Sequence, residues 1–354
     1  MLPLGSTTSE RPAEDVDVVS ASVEGATVRR RRSGRRVVAA YLLTVFLLIT
    51  VNFILPRSLP GDPISALTIS DSPSFVQNDA TRAELTEYYG LDRPLWVQYR
   101  SYLGDLARGH LGVSIRYNVP VRDLVAERLP WTLLLISTAM VPAALIGWIA
   151  GVHSAWHRSK RTDRGLLALF LTVHSFPVFF LGSFALFVFG VKLRWFPLSG
   201  TRTPFVTYAG PFEAVADIAR HLVLPATVLA LQFVTSQYVD MRASMVGELG
   251  SDYLLGGRAK GLRERRLKYR YAARNALLPV VAVTAVQVGF AVTGSILVET
   301  VFAYQGMGRL TFESVSYRDY PTLQACFLML SLVVVTANFT ADTLNARLDP
   351  RTKP

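Results

Sequence analysis

A single cysteine, Cys326, stands in 354 residues, so no disulfide can form within the chain and a thiol-ligated metal site has only one thiolate to draw on. It lies inside an apolar run, where a thiol behaves as a small hydrophobe. Charge is scarce as well. Asp, Glu, Lys and Arg make up 18% of the residues against 51% hydrophobic ones, too apolar for an ordinary soluble domain and the composition of a polytopic membrane protein. No G-x-x-x-x-G-K-[ST] occurs, so nothing cradles ATP phosphates in the P-loop manner and energy must come from a partner. Carboxylates are missing from the middle of every long apolar run: Asp240, Glu299 and Asp342 fall near run ends. An ion-coupled secondary transporter, the main alternative function, normally needs such carboxylates near the bilayer midplane and often two repeated halves, and no internal repeat is found. A membrane-embedded enzyme needs a facing nucleophile and base. Ser175 beside His174 is the only hint, and adjacent helical residues do not face each other.

What is present is apolar length. Runs at Val37 to Leu55, Trp131 to Gly151, Gly165 to Gly190, His221 to Val239, Ala276 to Val298 and Thr322 to Leu344 are each near or above the roughly 20 residues that span a bilayer. They predict an all-α membrane protein with six transmembrane helices. Pro142, Pro177, Pro225 and Pro279 lie inside these runs, tolerated in membranes and often marking bends. Residues 1–36 are polar, end in an arginine cluster, and read as a mobile cytoplasmic tail. No small-residue cleavage site follows the first run, so it reads as an uncleaved span. Residues 56–127 carry charges and turn formers, with amphipathic pieces at Thr81 to Tyr89 and Leu95 to Leu106, and predict a folded external segment. The core membrane domain follows over 128–344, and 345–354 is a second tail.

The formal net charge is +11, but the cations collect in short loops beside apolar runs, the pattern of a protein seated against anionic lipid and not of a nucleic-acid binder. With both termini inside, 23 of the 37 Lys and Arg fall on the cytoplasmic side, as the positive-inside rule requires. The densest of these segments is Ser251 to Val281, S-D-Y-L-L-G-G-R-A-K-G-L-R-E-R-R-L-K-Y-R-Y-A-A-R-N-A-L-L-P-V-V. Its cations would each cost roughly 2.5 to 3.5 kcal/mol at a membrane centre, so it sits in water. Ser251 or Asp252 caps a short helix with Leu255, Ala259 and Leu262 at i, i+4, i+7, and Gly261 ends or turns it. A second helix runs from Arg263 toward Pro279, supported by Glu264 and Lys268 at i, i+4, and feeds the next apolar run. Two short helices meeting at a glycine make a compact knob.

R-A-K-G-L-x-E-R-R followed by A-x-R-N-A-L-L-P-V-V resembles the cytoplasmic loop of bacterial ABC importer permeases of the dipeptide and oligopeptide class. The loop belongs to the EAA motif, whose glycine corresponds to Gly261; the generic Glu-Ala-Ala positions hold Leu255, Gly256 and Gly257. The likeness extends through L-P-G-D-P (Leu59 to Pro63), G-L-D-R-P-L-W-V-Q-Y (Gly90 to Tyr99), G-H-L-G-V-S (Gly109 to Ser114, with His110 where the family shows Asp), V-E-T-V-F-A-Y-Q-G-M-G-R-L (Val298 to Leu310, with Gln305 for Pro) and D-T-L-N-A-R-L-D-P-R (Asp342 to Arg351). Without the resemblance these motifs read as turn chemistry, Gly306 and Gly308 included.

The resemblance implies a type I ABC importer permease fold in the bacterial cell membrane. It also implies no cofactor and a set of partners: a second homologous permease, cytoplasmic ABC ATPase subunits and an extracytoplasmic solute-binding protein. The docking and coupling positions it implies, within a loop of about 245–275, are Leu255, Gly256, Gly257, Arg258, Ala259, Lys260, Gly261, Leu262 and Glu264. His174 and Gln287, polar groups within apolar runs, are pathway candidates; for His174 a satisfied helix-packing role is the first reading and the pathway the second. His153 and His157 stand at i, i+4 without the Glu of H-E-x-x-H, which favours an interfacial role over a metal site.

The charge count yields a topology test. With Cys326 removed, cysteines at Ser33 and Ser159 are expected to be shielded from a membrane-impermeant thiol reagent in intact cells, and one at Ser101 to react. Labelling at Ser33 with none at Ser101 would invert the orientation.

Overall fold

The computed structural model describes residues 34–58 and 92–348. The tail before residue 34, Leu59 to Pro63, Thr81 to Tyr89 and residues 349–354 lie outside the described residues. By compactness the chain divides into residues 1–43 and 44–354, and the contacts below belong to the second unit. Ten helices are described: α1 (Gly34–Ser58), α2 (Leu95–Ala107), α3 (Val121–Trp156), α4 (Arg161–His174), α5 (Val178–Ala185, prolonged by a π-helical Leu186–Lys192), α6 (Pro211–Glu248), α7 (Asp252–Ala259), α8 (Glu264–Val301), α9 (Met307–Ser316) and α10 (Tyr320–Leu348). Apart from one isolated bridge, Val113 to Pro120, no β structure occurs among the described residues.

Among the described residues four helices, α3, α6, α8 and the Tyr320–Thr340 part of α10, are long and apolar enough to cross a membrane. The run expected to span as one helix from Gly165 to Gly190 is instead broken: α4 and α5 meet at 89°. Pro177 is the cause. It lacks an N–H to continue the ladder and disfavours helical backbone at Phe176. Side chains of α6 bond the carbonyls beside the break, Gln232 Nε2 donating to Phe176 O (3.1 Å) and Thr235 Oγ1 to Phe170 O (2.9 Å), as a membrane interior demands. At Pro142, Pro225 and Pro279 the helices continue. The apolar part of α1, Val38–Ile54, is shorter than the spanning helices. Near its end Asn52 Nδ2 donates to Gln324 O on α10 (2.8 Å), and Phe53 meets Tyr99 of α2 edge to face at 5.1 Å.

α3 and α6 pack along much of their length. Gly147 and Gly151, four apart on one face of α3, let the backbones nearly touch: a Cβ at 147 would lie 2.8 Å from Tyr238 N, and one at 151 would lie 2.8 Å from Tyr238 O. This is the small-xxx-small packing by which membrane helices gain van der Waals contact without a hydrophobic driving force. Around the seam one apolar cluster joins α3, α6, α8, α9 and α10. A second, made by Val152, Ala155, Met241, Met245, Leu254, Leu267, Ala272, Ala276 and Val280, fixes α7 and the start of α8 onto the ends of α3 and α6.

The opposite end is closed by buried carboxylates. Asp319, fully buried, accepts from Ser114 Oγ (2.5 Å), Thr322 Oγ1 (2.7 Å) and Ile115 N (3.2 Å), pinning the segment before α3 to the α9–α10 turn. Tyr117 donates to Glu313 (2.6 Å), and burial together with that carboxylate pushes its phenol up to about 12. Glu299, equally buried, accepts from Thr132 Oγ1 (2.8 Å) and Arg309 N (3.0 Å). Gly306 and Gly308 differ from the turn reading. Gly306 has extended backbone (φ −105°, ψ −175°), and a Cβ at either position would collide with Glu299, so close approach is what requires them.

The seam predicts a contrast between glycines. Gly147→Ala sets a methyl against α6 backbone and is expected to destabilise the purified protein by about 1–3 kcal/mol. Gly104→Ala, on α2 with nothing within 4 Å of the added carbon, gains helix propensity and should be neutral or stabilising by up to about 1 kcal/mol. Thermal unfolding in detergent reads both, and equal midpoints would remove the close-packing account.

Candidate functional site

Ser251 precedes α7 in extended conformation, and the first turn carries Asp252, an acidic residue favourable at a helix N-terminus. Tyr253 donates to Glu248 at the end of α6; burial and that carboxylate raise its phenol above the ordinary value. α7 ends at Ala259. Gly261 takes φ +71°, the left-handed conformation that glycine enters without penalty, and its N–H donates to Arg258 O while Leu262 N–H donates to Gly257 O (2.9 and 3.1 Å). The chain thereby reverses into α8, which runs unbroken into the apolar span, as the sequence pattern predicts.

The face of α7 that packs inside the chain is offset from the Leu255, Ala259, Leu262 stripe. Leu254 is fully buried and Gly257 is buried against Leu267, whereas Leu255 is 59% exposed and Gly256, Ala259, Lys260 and Gly261 are all exposed. Leu262 alone of the expected stripe joins the inner cluster. The inward stripe is set by the start of α8, where Leu267 meets Gly257, and by the apolar cluster that Leu254 joins, and sequence periodicity over eight residues does not choose between neighbouring stripes.

The expected Glu264–Lys268 attraction is also absent. Glu264 Oε1 faces Arg258 Nε at 3.2 Å, and the Arg258 guanidinium lies 5.9 Å from the Trp156 ring centroid. Lys268 is buried, its Nζ 3.2 Å from His153 Nδ1. The cause is the π-helical turn Leu267–Ala272: hydrogen bonds spanning five residues put i and i+4 out of line. The rings of His153 and His157 lie tilted by 38° with centroids 4.5 Å apart, a pair at the base of the knob.

A third polar system holds this end of the bundle. Asp163 of α4 takes a bidentate pair of bonds from Arg242 of α6 (2.8 Å each) and one from Ser154 Oγ of α3 (2.5 Å), whose hydroxyl also meets Tyr238 OH (2.6 Å). Planar guanidinium and carboxylate lock α4 to α6 with fixed geometry. It leaves no motif in the sequence because its members are scattered through three helices.

His174 and Gln287 come together. Both line a cavity of about 250 Å³ between α4, α5, α6 and α8, with Gln232, Phe233, Ser236 and Phe290 among its other walls. Gln287 is buried and doubly held: its Oε1 accepts from Gln237 Nε2 (2.7 Å) and its Nε2 donates to Asp240 Oδ2 (2.9 Å). Gln237 Oε1 accepts in turn from Trp148 Nε1 (2.8 Å) and Thr284 Oγ1 (2.9 Å).

Residues 143–354 match the family model of the binding-protein-dependent transport system inner membrane component. The chain is 35% identical over 311 residues to the oligopeptide transport system permease protein AppB of Bacillus subtilis, covering 87% of this chain and 95% of that one. It is 34% identical over 317 residues to the dipeptide transport system permease protein DppB of Alkalihalophilus pseudofirmus, covering 86% and 93%. It is 35% identical over 308 residues to the glutathione transport system permease protein GsiC of Escherichia coli K12, covering 87% and 94%. With its several membrane-length helices, the chain is a multi-pass membrane protein, a transport component and not itself an enzyme, and it belongs to the family of binding-protein-dependent transport system inner membrane components.

Proposed function

We propose that this chain is one permease subunit of an ATP-driven ABC importer for peptides or related small solutes, seated in a bacterial plasma membrane with both termini in the cytoplasm. The peptide class follows the names of its relatives. In this reading α1 and the broken pair α4–α5 add to the four longer helices to make six spans. A second, homologous permease completes the pathway, ATPase subunits dock inside, and a solute-binding protein delivers from outside.

The observation that carries the docking role is the outward face of the knob. Leu255, Gly256, Ala259, Lys260 and Gly261 cover α7 and its turn with exposed residues, and a Cβ at 256 or 261 would meet nothing within 4 Å. The shape is therefore not demanded by packing inside the chain, and an apolar Leu255 at 59% exposure fits a surface that a partner covers. Closure of the ATPase pair on ATP would carry the knob, and with it the α3, α6 and α8 ends it is packed on, to reopen the pathway outward. An ion-coupled carrier has no use for such a surface.

Two substitutions separate docking from mere helix quality. Gly256→Ala raises helix propensity by up to about 1 kcal/mol and should leave transport at or above the parent level. Gly261→Val forces a β-branched residue into left-handed backbone at a cost of about 1–2 kcal/mol, touches no span, and should abolish co-purification of the ATPase subunits and transport while the permease stays in the membrane. If the complex carrying Gly261→Val keeps its ATPase subunits and transports normally, the knob is only an orientation signal. The purified chain alone in vesicles is expected neither to hydrolyse ATP nor to accumulate solute; uptake driven by a proton gradient would favour the carrier.

A further inference from the structure

Gln232, Ser236 and Asp240 stand four residues apart on α6, and so form one stripe on its surface. All three are partly exposed. Gln232 and Ser236 line the cavity that His174 and Gln287 also line, and Gln287 bonds directly to Asp240. Five polar side chains from three helices thus converge on one side of the seam, within helices otherwise apolar enough to span. Polar and ionisable groups on such helices face a bundle interior or water, not lipid, and this chain alone leaves the stripe open.

Asp240 is the member whose chemistry is least satisfied. Its Oδ2 accepts one amide bond, from Gln287, and among the described residues neither an ion pair nor a hydrogen bond reaches Oδ1. Arg242, two residues along, is committed to Asp163 on another face. The stripe carries no Lys or Arg. Gln287 is itself immobilised through Gln237, Trp148 and Thr284, so the carboxylate is held in a fixed orientation by a network that neutralises none of its charge.

We infer that this stripe is the chain's share of the translocation pathway and that Asp240 receives the ammonium group of the travelling solute. The inference rests on the permease reading above and deepens it: a free amino terminus is the one cation that every unblocked peptide carries. Ser236 offers a hydroxyl and Gln232 its amide oxygen to the peptide's own amides, suited to a conduit that must release what it holds.

The test uses the assembled transporter in membranes, with Cys326→Ala and Ser236→Cys, one helical turn from Asp240. A trimethylammonium methanethiosulfonate is expected to modify residue 236 about ten-fold faster than the sulfonate reagent, after correction for their rates with a free thiol, as a local negative field concentrates cations. Asp240→Asn keeps the acceptor for Gln287 but removes the charge, and should bring that ratio near one. In the parallel uptake arm, Asp240→Asn should lower alanyl-alanine transport about ten-fold or more through KM, and Asp240→Glu should restore most of it.

A cysteine at 236 that neither reagent reaches means that the partner subunit or lipid seals the stripe, and overturns the inference. So does a reagent ratio unchanged by Asp240→Asn, undiminished uptake by that variant, or loss of its partner subunits on purification, which would make Asp240 a packing residue. A parent complex that takes up no dipeptide overturns the peptide reading instead, and the reagent ratio then decides the stripe by itself.

Discussion

The contact between α3 and α6 at Gly147 and Gly151 is the constraint on which the rest of this structure depends. Within lipid no hydrophobic force drives helices together, so close backbone approach and interhelical hydrogen bonds must supply the association. The seam provides both. Where the glycines admit α6, Trp148 reaches Gln237, and a few residues further Ser154 reaches Tyr238 and Asp163 grips Arg242. One helix face therefore serves packing at Tyr238 and Met241, while Gln232, Ser236 and Asp240 lie on another stripe.

Internal satisfaction of polar groups governs the details around that seam. The break at Pro177 survives because α6 side chains bond the carbonyls next to it. Asp319 and Glu299 survive full burial because each is surrounded by donors. A buried carboxylate that lost its donors would be costly, so these residues fix where the loops between α8, α9 and α10 lie. Asp240, partly exposed, has one amide donor for two oxygens and no ion pair among the described residues.

Apolar length and charge placement make the helices legible in the sequence, and the glycine turn at 261 with a helix entering the span behind it is legible too. Much of the site is not. The packed face of α7 is ambiguous because eight residues hold barely two turns, and Leu254 and Leu255 differ only by which one the apolar cluster beneath α7 takes in. The π-helical turn at Leu267–Ala272 has no sequence signature, so the i, i+4 spacing places Lys268 beside Glu264 on the surface, whereas it is buried. Pro177 is one of four prolines in apolar runs, yet it alone breaks its helix, and the α6 side chains that take up the carbonyls beside that break are a tertiary fact the run does not show. Gly147 and Gly151 do carry a readable signal, their spacing of four in an apolar run, but which helix they admit is a tertiary fact.

The two candidate surfaces are joined by a single element. α8 begins at Glu264, immediately after the turn at Gly261, and continues without interruption past Gln287, a distance of about 35 Å at helical rise. Its first turns are clamped into the same apolar cluster as Leu254 and the ends of α3 and α6, so a force on the outer face of α7 is borne by packed side chains and not by a flexible loop. At the far end of that lever Gln287 holds Asp240 of α6 by one hydrogen bond. Displacing α8 relative to α6 by even a helical side-chain spacing would exchange that bond. Because the same cluster holds the ends of α3 and α6, the outer face of α7 is joined by packed side chains to both helices that share the Gln287–Asp240 bond, and only a movement of one of them relative to the other changes how that carboxylate is held.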